Sequence, residues 1–318
     1  MQVELEKHQL DELMEWWPQR LGDHAESVID MLRDSVFVGS RLGDLSKKVS
    51  ATAHGTGEKA ISLDEKANTR VRELRIEYGE RITKEYQLEL VTIGEEENQA
   101  FGSRAQIDRF NSSHLVVVAD PLDGSTNCRT FGCGYSTVLV SFLPQAEGGY
   151  ELIGGAIADS NGYTVVWDGL GNVLVRHNKM AIGKYRKLKR TRQKATEAVA
   201  AVATKPERLR QTLKRMEEIQ PGISESALLM TMAGTPSAFA LCALGLGMVV
   251  EPKAQKCWDA AHLYPALMLG LEARTLPEDA SAAGVPITIE QVTKYFGEYM
   301  DRFRVEPELV VPPFYIKN

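Results

Sequence analysis

Two carboxylates, a glycine and two hydroxyl groups lie within one octapeptide of this chain, Asp120-Pro121-Leu122-Asp123-Gly124-Ser125-Thr126-Asn127. The apolar run at residues 115–119 predicts a buried strand before it, and Pro121 and Gly124 are expected to end that strand. The carboxylates would then converge at a strand end, where a hard divalent cation finds oxygen ligands. Gly124 and Ser125 could open a helix whose N–H groups bind phosphate. An ordinary turn is the alternative, but the complete octapeptide favours a metal and phosphate site.

Three further carboxylates stand at places where they could join such a site. Glu95 opens a run of three glutamates directly after a predicted strand at residues 88–93. Charge runs are usually solvated surface, but strand ends are where sites of α/β proteins collect. Asp64 opens a predicted helix, where the helix dipole alone would explain a carboxylate. Trp258 alone indicates core, and Asp259 alone indicates another helix start.

The elements that must position these residues follow from hydrophobic periodicity and turn residues. Gly148-Gly149 and Asn161-Gly162 are typical of hairpin turns, so the strands around them predict an antiparallel sheet. Beyond residue 190 the pattern alternates helices and strands, which predicts an N-terminal α+β part over 1–190 and a C-terminal α/β part over 191–318. The predicted strands are 88–93, 115–119, 135–143, 152–158, 163–167 and 173–176. The predicted helices are 10–17, 27–36, 64–77, 205–217, 236–246, 258–271 and 289–303.

Composition narrows the class of protein. The chain has 318 residues, is 43% hydrophobic and 25% charged, and carries a net charge of −6. Nucleic-acid binding needs a basic footprint and is therefore not expected. The basic run at 184–194 is expected to be a solvated linker or a sheet edge. With no apolar membrane span and no signal-peptide pattern at the start, we expect a cytoplasmic protein without membrane contact. Its four cysteines are expected to be reduced thiols.

Four blocks together resemble the lithium-sensitive phosphatase superfamily, which contains inositol monophosphatase, fructose-1,6-bisphosphatase and the bisphosphate nucleotidases. The blocks lie at residues 57–68, 94–98, 120–127 and 258–261, in the order of that family. The resemblance implies an α+β fold, a layered α/β/α/β/α sandwich. In it the N-terminal part would hold the metal and phosphate site. The C-terminal part would complete the metal site and shape substrate specificity.

The resemblance also implies roles for individual residues. Asp64 and Ser125 would orient the attacking water. Five carboxylates in one site would require about two or three divalent cations, and all-oxygen ligands favour Mg²⁺, with Mn²⁺ as a possible substitute. The implied metal ligands are Asp64, Glu95, Asp120, the carbonyl of Leu122, Asp123 and Asp259. The implied phosphate ligands are Gly124, Ser125 and Thr126, and the implied substrate contacts are Gly234, Thr235 and Glu251.

The function that this resemblance implies is Mg²⁺-dependent hydrolysis of a small sugar, polyol or inositol phosphate. Hydrolysis would proceed by in-line attack of a metal-activated water, in a lithium-sensitive homodimer. A 3′(2′),5′-bisphosphate nucleotidase or a fructose-1,6-bisphosphatase is an alternative. Lys253 and Lys256 could serve an extra phosphate, although loop lysines are usually solvated. Glu251 stands seven residues before Trp258 rather than the family's six. A non-catalytic homologue that binds a phosphorylated metabolite and regulates a partner is the non-enzyme alternative.

Overall fold

The structure is a computed structural model of the chain. It describes residues 5–38, 48–52, 59–94, 100–101, 106–107, 109–125, 127–128, 133–177, 184–188, 199–202, 206–221, 229–232, 248–277, 284–303 and 311–317.

Two long helices form the first layer. Helix α1 spans Lys7–Val38 and α2 spans Ser62–Tyr86. The sequence predicts two helices in the region of α1, but the structure has one, which runs through both Pro18 and Gly22. Gly22 lets the helix pack closely on the sheet, because a Cβ at this position would lie only 2.5 Å from the side chain of Val166.

A nine-stranded sheet lies beneath these helices, and its strands have the order β11-β10-β9-β8-β7-β6-β3-β4-β5. Every neighbouring pair is antiparallel except β3 and β6, which are parallel. The predicted antiparallel sheet is therefore confirmed, with one parallel pair that was not predicted. Its strands are β3 Glu89–Gly94, β4 Ala100–Phe101, β5 Gln106–Ile107, β6 His114–Asp123, β7 Ser136–Pro144, β8 Tyr150–Asp159, β9 Tyr163–Asp168, β10 Val173–His177 and β11 Arg186–Lys187.

The remaining strands form three small sheets. A hairpin joins β1 (Lys48–Thr52) to β2 (Lys59–Ile61). A parallel pair joins β12 (Val199–Val202) to β13 (Leu229–Met232). The third sheet has the order β14-β16-β15, and its strands are β14 Met248–Glu251, β15 Glu272–Thr275 and β16 Phe314–Lys317.

Helical segments in the second half cover the other side of the large sheet and the small sheets. Helix α3 (Pro206–Ile219) packs on β12 and β14. A 3₁₀ turn at Trp258–Ala260 precedes α4 (Leu263–Met268), and α5 spans Ile289–Asp301. The single helix predicted over 258–271 is thus two short segments. Pro265 lies in the first turn of α4, where its missing N–H has no helical partner to lose. The helix predicted at 236–246 lies outside the described residues.

Alternating side chains of β6 show why the molecule is layered. Leu115 and Val117 belong to a core shared with α1 and α2, whereas Val116 and Val118 belong to a second core shared with α4 and α5. A strand that is apolar at every position is buried on both faces. The layers are, in order, α1 with α2, the nine-stranded sheet, α4 with α5, the small sheets of β12 to β16, and α3. They form the expected α+β sandwich, so the fold prediction is confirmed.

Three other features agree with the sequence. Gly148, Gly149 and Gly162 have positive φ angles of 96°, 85° and 94°, as hairpin turns require. The first part of the basic run forms β11, an exposed edge strand of the sheet. Among the described helices, none has both the length and the apolar character of a membrane span.

Candidate metal and phosphate site

The parallel pair β3–β6 brings two carboxylate-bearing segments to one edge of the sheet. The pairing runs in register from Glu89 opposite His114 to Gly94 opposite Ala119. Because Gly94 pairs with Ala119, Asp120 directly follows the last residue of β6 that pairs with β3, just as Glu95 directly follows the last paired residue of β3. Glu95 itself lies outside the described residues.

A β-bulge in β6 sets the direction of its two aspartates. Asp120 lies opposite Val138 and Asp123 opposite Ser136, so β6 has one residue more than β7 between these two pairs. Residues three apart on a regular strand face opposite sides. One extra residue reverses this alternation, which allows Asp120 and Asp123 to face the same side.

Hydrogen bonds hold the bulge in place. The backbone N–H of Leu122, which is buried, donates to Asp120 Oδ1 over 3.1 Å. The Thr137 hydroxyl donates to the Pro121 carbonyl over 2.9 Å, and the Ser136 hydroxyl donates to Asp123 Oδ2 over 3.4 Å. The sequence prediction that Pro121 ends the strand is wrong, because the bulge tolerates a residue without an N–H.

The third carboxylate comes from the 3₁₀ turn, which packs against β6. Trp258 is fully buried and anchors the turn, while Asp259 is partly exposed. One carboxylate oxygen from each of Asp120, Asp123 and Asp259 lies within 4.8 Å of the other two. The structure thus brings together three of the predicted ligands, from segments about 140 residues apart along the chain.

Asp64 lies in the first turn of α2 and is only 6% exposed. Among the described residues it is not part of the group of three. Its charge acts on Cys128, whose pKa is raised to about 12, mainly by burial and further by Asp64. Because Cys128 directly follows the octapeptide, Asp64 is placed near the predicted phosphate-binding turn.

The turn after β6 has the helical start that the sequence predicts. Gly124 has a φ of +82°, and its carbonyl accepts hydrogen bonds from the N–H groups of Asn127 and Cys128 at 2.9 and 3.0 Å. Ser125 is partly buried within this turn. Thr126 lies outside the described residues, as do Gly234 and Thr235.

Glu251 and the two nearby lysines complete the predicted set. Glu251 is buried at the end of β14, and its Oε2 accepts a hydrogen bond from Gln255 Nε2 over 3.2 Å. Lys253 is exposed, but Lys256 is buried, with its Nζ 5.2 Å from the centre of the Trp258 ring. The expectation of a solvated loop lysine is therefore wrong for Lys256.

Two residues that the sequence does not mark as functional lie at the end of β3 beside the site. The Tyr299 hydroxyl donates to the Gly94 carbonyl over 3.4 Å. A Cβ placed on Gly94 would lie 3.6 Å from Asn68 Oδ1, so Asn68 borders the same strand end. Asn68 belongs to a block that carried the family resemblance. For Tyr299 the sequence held no signal beyond a place in a predicted helix.

The layered sandwich is the fold of fructose-1,6-bisphosphatase and inositol monophosphatase. No family model matches the sequence, and no curated protein sequence matches it either. Solved structures do match. The structure of fructose-1,6-bisphosphatase from Leishmania major in holo form has a TM-score of 0.59 at 13% identity, covering 93% of this chain and 89% of that chain.

Two further solved structures support the same fold. The extragenic suppressor protein suhB from Bartonella henselae has a TM-score of 0.53 at 13% identity, covering 89% of this chain and 97% of that chain. An IMPase from Thermotoga maritima has a TM-score of 0.50 at 13% identity, covering 93% of this chain and 91% of that chain. The fold that the four sequence blocks imply is thereby confirmed.

Proposed function

We propose that this chain belongs to the inositol monophosphatase and fructose-1,6-bisphosphatase superfamily. In this proposal it hydrolyses a small sugar, polyol or inositol phosphate in the presence of Mg²⁺. The observation that carries the proposal is the group of three carboxylates whose oxygens lie within 4.8 Å of one another. Three such charges repel one another unless a cation lies between them.

The residues around the group fit a hard cation. The two buried cysteines near the site stay protonated, because burial raises the pKa of both: Cys128 to about 12, and Cys257 well above its usual value, with Asp259 adding to the rise. Protonated thiols do not compete as metal ligands. Oxygen donors favour Mg²⁺, with Mn²⁺ as a substitute. Asp120, Asp123 and Asp259 would hold such ions, and Asp64, Glu95 and the Leu122 carbonyl complete the proposed ligand set of two or three cations.

The turn at Gly124 and Ser125 supports a phosphate ester as the substrate. Its backbone opens a helical turn directly beside the carboxylates, where N–H groups can donate hydrogen bonds to phosphate oxygens. When bound, divalent cations supply the positive charge that lets a phosphate dianion approach this acidic site. Gly124, Ser125 and Thr126 would bind the phosphate, while Asp64 and Ser125 would orient water in line with the ester bond. The water oxygen would form the new bond to phosphorus as the ester P–O bond breaks. Asp64 would take the proton of that water, and the leaving alkoxide would take a proton from solvent.

The released alcohol would be recognised by Gly234, Thr235 and Glu251. The fold likeness to a fructose bisphosphatase keeps a sugar bisphosphate among the candidate substrates. Lys256, three residues before Asp259, keeps a nucleoside 3′(2′),5′-bisphosphate among them as well, because an ammonium group can bind a second phosphate. A homodimer, lithium inhibition and a cytoplasmic location stay predictions.

Phosphate release from a panel of substrates tests the proposal. The panel contains inositol and sugar monophosphates, fructose 1,6-bisphosphate and a nucleoside 3′,5′-bisphosphate, each with Mg²⁺, with EDTA, and with added Li⁺. We expect release with Mg²⁺ and none with EDTA. Turnover that is equal in EDTA would contradict the metal assignment. Metal and ligand binding without release from any substrate would favour the regulatory homologue.

A further inference from the structure

We propose that Tyr299 is a positioning residue, which holds the carboxylate-bearing segments at the spacing that divalent cations require. The inference rests on the proposed function, because it concerns the same metal site. Tyr299 comes from α5, which supplies none of the proposed ligands.

The hydroxyl of Tyr299 fixes the end of β3. It is buried and donates to the Gly94 carbonyl over 3.4 Å. Gly94 is the last residue of β3 and lies opposite Ala119, the residue before Asp120. The carbonyl that accepts this bond is also the one that joins Gly94 to Glu95. A single hydroxyl group therefore acts at the point where both segments leave the parallel pair.

The ring of Tyr299 fixes the third segment. It packs edge-on against Trp258, with ring centres 4.9 Å apart and planes at 79°. Trp258 directly precedes Asp259, so a shift of the indole moves the carboxylate. One side chain thus contacts both the strand edge and the 3₁₀ turn, through two different parts of its structure.

Helix α5 is a firm base for this contact. Its start is closed by a capping box in which the Thr288 hydroxyl accepts from the Gln291 N–H, and the Gln291 side chain accepts from the Thr288 N–H. Phe296 and Met300 of the same helix are buried in the core. Helix α5 therefore holds Tyr299 in place, and the end of β3 and the 3₁₀ turn pack against this side chain.

Tyr299→Phe separates the two contacts, since Phe keeps the ring against Trp258 and removes only the hydroxyl. Substitution of a residue that orients a metal ligand typically lowers metal affinity by about 10–100-fold. An effect that is passed through the backbone should be smaller, so we expect the Mg²⁺ affinity of Tyr299→Phe to fall about 3- to 10-fold. With the site refilled at saturating Mg²⁺, kcat should return to within about twofold of wild type.

The matched control is Tyr264→Phe. Tyr264 of α4 is buried in the same core. Its hydroxyl donates to Oγ1 of Thr293, a residue of α5, over 3.1 Å. Its ring stacks on Trp167 rather than on Trp258. Both variants remove a tyrosine hydroxyl that donates a hydrogen bond within the protein, but it is the Tyr299 hydroxyl that contacts the end of β3.

Two measurements on the full-length chain decide the matter. The first is isothermal titration of the metal-free protein with Mg²⁺ alone. The second is the Mg²⁺ concentration that gives half-maximal phosphate release, with kcat at saturation. A weaker Mg²⁺ affinity in Tyr299→Phe and an unchanged one in Tyr264→Phe support the inference. The inference is overturned if both variants keep the Mg²⁺ affinity of wild type, or if both lose affinity to the same extent.

Failure of the proposed function would look different. Wild-type protein that binds Mg²⁺ but releases no phosphate would overturn the enzymatic proposal, while the titration would still decide the role of Tyr299. Wild-type protein that binds no Mg²⁺ would overturn both.

Discussion

Replacing Asp123 with Asn should change stability in opposite directions with and without Mg²⁺. Without metal, Asp123 repels two neighbouring carboxylates, and the neutral amide removes that repulsion. With metal, the same replacement removes a ligand. Because the Asn side-chain oxygen can still accept from Ser136, which donates to Asp123 over 3.4 Å, the local hydrogen bond need not be lost.

The size of the effect follows from the spacing of the group. Charges no more than 4.8 Å apart repel by about 1 kcal/mol in a water-like medium and by about 3.5 kcal/mol at an effective dielectric constant of about 20. Asp123 takes part in two of the three pairs. Because Asp123 and Asp259 are partly exposed, the lower end applies, and we expect metal-free Asp123→Asn to gain about 1–3 kcal/mol in free energy of unfolding. Wild type should gain about 2.7 kcal/mol at a Mg²⁺ concentration 100 times its Kd.

Urea denaturation in EDTA and in Mg²⁺ measures both effects on the same samples. Asp34→Asn, an exposed carboxylate of α1, is the control and should stay within about 0.5 kcal/mol of wild type in both buffers. Phosphate release by Asp123→Asn should fall to background. The reasoning is refuted if Asp123→Asn is no more stable than wild type in EDTA and is still stabilised by Mg²⁺ as strongly as wild type.

Two further predictions concern the turn and the core. Gly124→Ala, at a φ of +82°, should cost about 1–2 kcal/mol in urea denaturation and abolish phosphate release. Gly148→Ala, at a φ of +96° in a distant hairpin, should cost a similar amount and leave release intact, and equal activity of the two variants would contradict a role for the turn. Burial lowers the pKa of His262 from 6.5 to about 3. Below about pH 6.5 the unfolded chain therefore binds a proton that the folded chain does not, so the free energy of unfolding decreases as the pH is lowered. Between about pH 7 and pH 5 metal-free protein should lose roughly 2 kcal/mol through this group, and urea denaturation of His262→Phe should show a loss smaller by that amount.

Hydrophobic periodicity predicts most of the large sheet because its strands are built from local signals. The strands around Gly148-Gly149 and Asn161-Gly162 were predicted to within two residues at each end. Each pair is joined by a turn that contains glycine at positive φ, Gly148 and Gly149 in the first turn and Gly162 in the second, so strand and turn signals agree. Periodicity also predicts α3 and α5 closely, since both are amphipathic.

Packing between distant segments was not predictable in the same way. Gly22 lies between the helices predicted at 10–17 and 27–36, yet in the structure it lies inside α1 and serves the contact of that helix with Val166. The path of the chain through Pro121 depends on Thr137 of the neighbouring strand, which satisfies the Pro121 carbonyl. The contact of Tyr299 with Gly94 joins residues 205 positions apart. None of these partners is adjacent in the sequence, so no local pattern reports them.

The parallel pair explains why the site lies where it does. In an antiparallel sheet, the carboxyl ends of neighbouring strands lie at opposite edges. Only β3 and β6, among the neighbouring strands of the nine-stranded sheet as described, place their carboxyl ends side by side. The 3₁₀ turn with Asp259 packs against β6, and the bulge allows Asp123 to face the same side as Asp120. With an antiparallel β3, Gly94 and the residue that follows it would lie a strand length from Asp120, so the proposed ligand set depends on one crossover and one extra residue.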